Sequence, residues 1–448
     1  MRRFARLMVA MAVLVGVSSG EERMVEAGAM PVVFVHGNGD DSAKWIGVIW
    51  LWESNGYPKD RLYAIRFTNP SARTDDTREE PSRSSTAFAE NELSAFVARV
   101  LAETHSSKVA LVGSSRGGMT IRNYLEHGGA QHVAYAVLCG APNHGVTATD
   151  ANLNGEFNGK GTYLQGLNHV GTGGASEVVA GVKMMTLRSD HLDKYAQPTG
   201  VAMGSPQMST GVTYEGPALR GAENVVLAGL DHRELAFTPR AFGEMFRFIT
   251  GSVPKTLTVA AEKAPMVSGL VTGFADGVAT NLPVAGVHLR VIPVGEGGKA
   301  GPVAYEVTTA ADGKWGPMRA VAGQEYCFDL ESGGRHVRYF KAAIPRSTEL
   351  MNLRLLPVPR EAATLTAGEY VLVERPQGYL ARERDAVTID GALAKDEPSA
   401  LPSGVPLRDA FVAALPGDEA KVVLRGETIV VVGSGDLKKD LPVVDFLW

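Results

Sequence analysis

The chain has 448 residues, 45% of them apolar and 21% charged, with a formal net charge of −5. That length exceeds what one hydrophobic core usually serves, so two or three domains are expected. A small negative balance with no block of Lys or Arg offers no footing for a nucleic-acid partner.

In chain order, Arg2, Arg3 and Arg6 precede the apolar run "LMVAMAVLVGV" and the small residues Ser18, Ser19 and Gly20. This is the layout of a secretory signal peptide over residues 1–20, with an apolar run too short to span a bilayer comfortably. The expected location is secreted or periplasmic, with no integral span after cleavage. Export permits disulfides, yet Cys139 and Cys327 fall in what read as different domains. Each is expected to pack as a small apolar side chain.

Between about residues 31 and 252, short apolar runs alternate with longer amphipathic stretches. "PVVFVHG", "LYAIRF", "KVALVGSS", "AYAVLCGAP", "KMMTLRS" and "NVVLAGL" are continuous rather than alternating, which predicts strands buried on both faces of a parallel sheet. "STAFAENELSAFVARVLAETH" predicts a helix burying Phe88, Leu93, Phe96, Val97, Val100 and Leu101, with Ser84, Ser85 or Thr86 as its N-cap. A second helix is expected from about Gly117 to Glu126. The alternation predicts a doubly wound α/β domain whose ligands bind beyond the carboxyl ends of the strands.

Two long insertions interrupt it: "TNPSARTDDTREEPSRSS", and a Gly-, Asn- and Thr-rich stretch over about 143–182 that reads as a lid or a flexible loop. After residue 252 the runs shorten and alternate. With the Asp312-Gly313 pair as a turn, this predicts an antiparallel β-sandwich over 253–357 and a further β-rich module over 358–448.

Gly113-Ser114-Ser115-Arg116-Gly117 fits G-x-S-x-G, and it lies between a predicted strand and a predicted helix. In that setting the tight turn projects the central serine above the sheet, beside the positive end of the helix. The pattern presents Ser115 as a nucleophile, with Ser114 as the lesser alternative.

With this elbow, "VVFVHGNGDDSAKW" and "LCGAPNHG", residues 30 to 250 resemble the α/β-hydrolase family, in particular secreted bacterial lipases and esterases with a small sheet. The resemblance implies a small doubly wound parallel-sheet α/β-hydrolase followed by an antiparallel β-sandwich or β-barrel region. It also implies a Ser, Asp or Glu, His order for the catalytic triad. Of the ten histidines, it places the base at His232 in "NVVLAGLDHRELAF", directly after the last strand, and gives His36 a structural role. "KMMTLRSDHLDKYAQP" supplies two acids. Asp193 resembles the acid of related lipases, whereas Asp190 lies closer to the strand end, and spacing does not decide between them. Asp231 and Asp150 are outsiders.

By the same resemblance the oxyanion donors are the backbone N–H groups of Arg116 and Asn38. The family often carries a bulky apolar residue at the second position, and His or Gln at the first. No His, Cys, Asp and Glu grouping has convincing metal spacing, and "VGEGGKAGP" lacks the Lys-Ser/Thr pair of a phosphate loop, so no metal and no cofactor are expected.

The implied activity is hydrolysis of a carboxylic ester through an acyl-enzyme, with a lipase acting on triacylglycerols or long-chain esters as the leading expectation. An extracellular polyhydroxyalkanoate depolymerase is the first alternative. A noncatalytic surface- or carbohydrate-binding protein on a hydrolase fold is the alternative of another class. The β module weakly resembles carboxypeptidase regulatory-like or transthyretin-like sandwiches through "VSGLVTG", "GVHLRVIPV" and "VTTAADGKWGPM".

Overall fold

The computed structural model describes residues 28–169 and 176–447, so the expected signal peptide and part of the second insertion lie outside the described residues. Each of the six apolar runs contains a strand: β1 Val32–Val35, β2 Leu62–Ala64, β3 Val109–Ser114, β4 Val133–Cys139, β5 Lys183–Arg188 and β6 Glu223–Val226. They form one sheet in the order β2-β1-β3-β4-β5-β6, and every neighbouring pair is parallel. Successive side chains point to opposite faces, and both faces are covered. Val33, Val35 and Leu111 enter one core, while Val32, Phe34 and Val112 enter another. Burial on both sides is why the runs are continuous rather than alternating.

Helices α1 Ile46–Ser54, α2 Thr86–Thr104, α3 Arg116–Glu126, α4 Thr162–Leu167, α5 Glu234–Phe237 and α6 Pro239–Thr250 fill the connections. Ser85 is the N-cap of α2, accepting from the Phe88 N–H at 3.1 Å. The buried stripe of α2 is Ala89, Leu93, Val97, Val100 and Thr104, spaced at three and four residues. Phe88, one residue and about 100° off that stripe, is 43% exposed, contrary to expectation. Phe96 and Leu101 pack at the stripe's edge, where the Arg99 guanidinium lies over the Phe96 ring.

The α1 sequence, "IGVIWLWES", is apolar nearly all round because it has two cores to fill. Val48, Leu51 and Trp52 pack on the parallel sheet, whereas Ile46 and Trp50 belong to the core of the β-rich region.

That region holds β7 Met266–Ala275, β8 Val278–Pro283, β9 His288–Val294, β10 Tyr305–Thr308, β11 Lys314–Arg319, β12 Glu325–Ser332, β13 Arg335–Lys341 and β14 Leu353–Arg354. Further on come β15 Tyr370–Glu374, β16 Thr388–Ile389, β17 Ala392–Leu393, β18 Ala410–Ala414, β19 Glu419–Leu424, β20 Glu427–Val432 and β21 Asp440–Asp445. A central seven-stranded sheet runs β10-β9-β12-β13-β21-β15-β18. One of its faces, through Phe328, Leu330 and Val443, packs against the sheet β8-β7-β11. The other, through Phe340, Val373 and Val444, packs against β17-β16-β19-β20. The result is three layers of sheet.

One expectation changes here. The boundary at 357/358 falls inside this one sheet, because β21, from the end of the chain, inserts between β13 and β15. The pairs formed among β7 to β13 are antiparallel as expected, and β21 makes the seven-stranded sheet mixed by running parallel to both neighbours. The expected turn at Asp312-Gly313 is present, the Gly313 N–H donating to Ala310 O at 2.9 Å. It carries the chain from β10, paired with β9, to β11, paired with β7, and it approaches the backbone so closely that a Cβ on Gly313 would meet Val271 O at 2.9 Å. Cys139 and Cys327 are free and buried in different sheets. Among the described residues no helix is long and apolar enough to cross a membrane.

Candidate active site

β3 passes into α3 through Ser115, whose backbone lies at φ 53° and ψ −121°. A non-glycine residue in that region is strained and needs its surroundings to hold it. Here the Ser115 N–H donates to Cys139 O at 2.8 Å, and the Gly118 N–H returns to Ser115 O at 2.9 Å. Strand and helix can come together only because the flanking residues lack side chains. A Cβ on Gly113 would sit 2.7 Å from the Gly118 nitrogen, and one on Gly117 would sit 2.4 Å from Val35 O and 2.6 Å from His36 O. Since backbone rather than a flexible side chain occupies that space, Gly117→Ala is expected to lower unfolding free energy by about 3 kcal/mol or more. Urea unfolding checks this, and a loss below about 1 kcal/mol would contradict the packing argument.

His232 follows β6 and opens the turn into α5. Its Nδ1 meets Asp193 Oδ1 at 2.9 Å, and both side chains are only 4% exposed. The Tyr195 N–H also donates to Asp193 Oδ1, at 2.8 Å, and the Tyr195 ring stands edge-on to the imidazole. Asp190 turns elsewhere. It accepts from the His191 N–H at 2.8 Å, the Gly229 N–H at 3.3 Å and Ser189 Oγ at 3.0 Å, tying two loops together. Burial pushes its carboxyl up, but these hydrogen bonds hold it below the ordinary range.

Asp231 points away from the imidazole into a buried charge cluster, and Asp150 pairs with Lys160 at the surface. His36 is buried between Gly37 O and the Phe67 N–H, and desolvation lowers its pKa. His144 is held by Gly216 O and Glu177.

Ser115 and His232 line one cavity of about 110 Å³, together with Ser114, Asn38, Pro142, Val146, Phe157 and Tyr195. Among the described residues no hydrogen bond joins Ser115 to His232, a contact that often tightens only when substrate is bound. Arg116 is the first residue of α3, where a backbone N–H has no acceptor within the helix. Asn38 sits on the cavity wall, and its loop is fixed by the Ala72 N–H donating to Asn38 Oδ1 at 2.7 Å.

The Arg116 side chain has a role that sequence reasoning missed. Its buried guanidinium meets Glu156 at 2.8 Å and donates to Pro70 O and Ser84 Oγ. It thereby binds both insertions to the elbow. The insertions also join each other, Asp76 N–H donating to Asn154 O at 3.0 Å, and the second contributes Val146 and Phe157 to the cavity.

Tyr379, Arg233 and Asp40 also line the cavity. Tyr379 comes from the β-rich region, outside the stretch that carried the resemblance, and no local pattern marked it. A larger cavity of about 280 Å³ lies between α1 and the central β sheet, but neither Ser115 nor His232 lines it. Among the described residues there is no group of three or more His, Cys, Asp or Glu placed to hold a metal ion.

Residues 29–160 match the family model described as lipase (class 2), and residues 266–357 match that of the lipase C-terminal domain. Among solved structures, lipase B of Aspergillus fumigatus is 16% identical at a TM-score of 0.36, with 54% of this chain and 59% of that one covered. The propeptide form of the Bacillus licheniformis lipase BlEst2 is 13% identical at a TM-score of 0.36, covering 90% and 96%. Phospholipase PlaB of Legionella pneumophila is 12% identical at 0.34, covering 73% and 93%.

Proposed function

Because this chain is a lipase-family α/β-hydrolase, with a class 2 lipase domain and a lipase C-terminal domain, we propose that it cleaves the ester bonds of lipids through an acyl-enzyme on Ser115. The observation that carries this reading is the shared cavity. A serine on a strained elbow and a histidine whose Nδ1 is held by a buried carboxylate both line it.

In the proposed reaction His232 takes the hydroxyl proton as Ser115 Oγ bonds to the ester carbonyl carbon, and then delivers it to the departing alcohol. Asp193 holds the imidazole in the right tautomer and stabilises its cation. The N–H groups of Arg116 and Asn38 receive the oxyanion, a contribution of about a hundredfold or more in rate. Water then repeats the sequence on the acyl-enzyme and releases the acid.

Pro142, Val146 and Phe157 give the cavity an apolar wall suited to an acyl chain. At about 110 Å³ the cavity is small beside typical ligand pockets, so a long chain extends past Val146 and Phe157 over the second insertion. We further propose that the triad and the oxyanion donors all lie within residues 21–252 and that the protein is exported, on the pattern of residues 1–20.

A fluorophosphonate probe should label the protein, and Ser115→Ala should remove the label. Emulsified long-chain triacylglycerols should be hydrolysed faster than short dissolved esters. Labelling that survives Ser115→Ala, or none in the parent protein, would reject Ser115 as nucleophile. Turnover confined to short esters would reject the lipase assignment, and clearing of a polyhydroxyalkanoate suspension without triacylglycerol hydrolysis would replace it with a depolymerase.

A further inference from the structure

Asp231 and Glu234, on either side of His232, have side chains with 0% exposure. Locally they bond to each other reciprocally across the turn that leads into α5. Asp231 Oδ1 accepts from the Glu234 N–H at 3.0 Å, and Glu234 Oε2 accepts from the Asp231 N–H at 2.9 Å. Two carboxylates this close and this buried repel one another and need cations brought to them. Burial and the Glu234 charge both push the Asp231 carboxyl up.

The cations come from far along the chain. Arg384 forks across both acids, Nη2 donating to Asp231 Oδ2 at 2.9 Å and Nη1 to Glu234 Oε2 at 3.0 Å. Arg375 and Arg425 each donate to Glu234 Oε1 at 2.7 Å. Asp385, also at 0% exposure, closes the cluster by accepting from Arg425 at 2.6 Å and Arg384 at 3.1 Å. Three guanidinium groups thus balance three carboxylates, with no formal charge left over.

The neighbouring residues are tied to the same region. Arg233 donates to Asp409 Oδ2 at 2.6 Å and to Pro376 O at 3.2 Å. The Tyr379 N–H donates to Asp231 Oδ2 at 2.8 Å, and the Tyr379 side chain lines the cavity. On the loop that carries Asp193, Lys194 donates to Leu407 O at 2.9 Å and stands 3.7 Å over the Tyr379 ring.

We propose that residues 375–425 position the His232–Asp193 pair, with Arg375, Arg384 and Arg425 clamping the loop that bears the base. The arginines do not touch substrate; they act through Asp231 and Glu234. The proposal rests on the reading of His232 as the base, and it makes the β-rich region part of the hydrolytic machinery rather than an attachment to it.

The test uses the full chain, with kcat counted per fluorophosphonate-titrated site so that a change in the amount of folded protein does not register. For Arg384→Met, kcat per site on a short soluble ester should fall about tenfold to a hundredfold, the scale of a catalytic group misplaced by about an ångström. KM should stay within about twofold, and Arg384→Lys should recover part of the loss. Amide exchange over residues 227–237 should accelerate in Arg384→Met while exchange in β3 does not.

Unchanged kcat per site together with unchanged exchange at 227–237 would overturn the clamp. If Arg384→Met does not fold, Arg425→Gln, at the cluster's outer edge, should show the same split at about threefold. Failure of the parent protein to label or to hydrolyse any ester would instead defeat the functional reading. Amide exchange over 227–237 would then still report on the clamp.

Discussion

Replacing His232 with alanine is expected to lower kcat by about a millionfold, and Asp193→Asn by about ten-thousandfold, with KM little changed in either case. The size of the first effect follows from the nucleophile: without a base the Ser115 hydroxyl keeps its proton and is a poor attacking group. The second follows from geometry. Asp193 accepts from His232 Nδ1 at 2.9 Å, and an amide there lets the imidazole present the wrong tautomer to the serine. Asp190→Asn is the informative control, because Asp190 faces His191, Gly229 and Ser189 instead. Its kcat should remain within about twofold of the parent. Steady-state kinetics of the three variants decide the assignment, and a large loss in Asp190→Asn beside near-normal Asp193→Asn would reverse it.

A chain ending at residue 357 is expected to give no soluble, cooperatively unfolding protein. Such a chain loses β15, β18 and β21, three of the seven strands of the central β sheet. The pairing edge of β13 is left bare, and the buried faces of Val337 and Phe340 are opened. Asp231 and Glu234 lose all three arginine partners. Breaking one buried pair costs about 3–5 kcal/mol against a total stability of about 5–15 kcal/mol, so these losses together exceed what the domain holds. Size-exclusion chromatography and thermal melting of the truncated chain provide the measurement. A monomeric, active fragment ending at 357, or at 252, would show that the α/β portion stands alone.

What could be read from the residues is what local physics controls. Continuous apolar runs signal strands covered on both faces, and the elbow is legible because G-x-S-x-G sits where strand gives way to helix. The choice between Asp190 and Asp193 is not local. The two lie three residues apart, and loop geometry decides which carboxylate reaches His232 Nδ1. Tyr379 and the arginine cluster are more distant still, 141 to 191 residues from Glu234 in the case of Arg375 and Arg425. Asp231 read as an outsider to catalysis; the D-x-x-E spacing with Glu234 was visible, but nothing nearby showed that its charge is met by loops of the β-rich region. In the β-rich region, alternation marks strands without revealing partners, so the insertion of β21 between β13 and β15 had no signature.

The two-sided burial of α1 bears on the order in which this molecule can be assembled. Ile46 and Trp50 share a core with Leu441 and Val443, and each such side chain is worth about 1.5–3 kcal/mol once covered. During synthesis from the amino end, the helix is made almost four hundred residues before the strand that completes its outer shelter. Until that strand leaves the ribosome, Trp50 and Ile46 remain without their final neighbours. Maturation of the core around α1 is thereby coupled to the synthesis of β21.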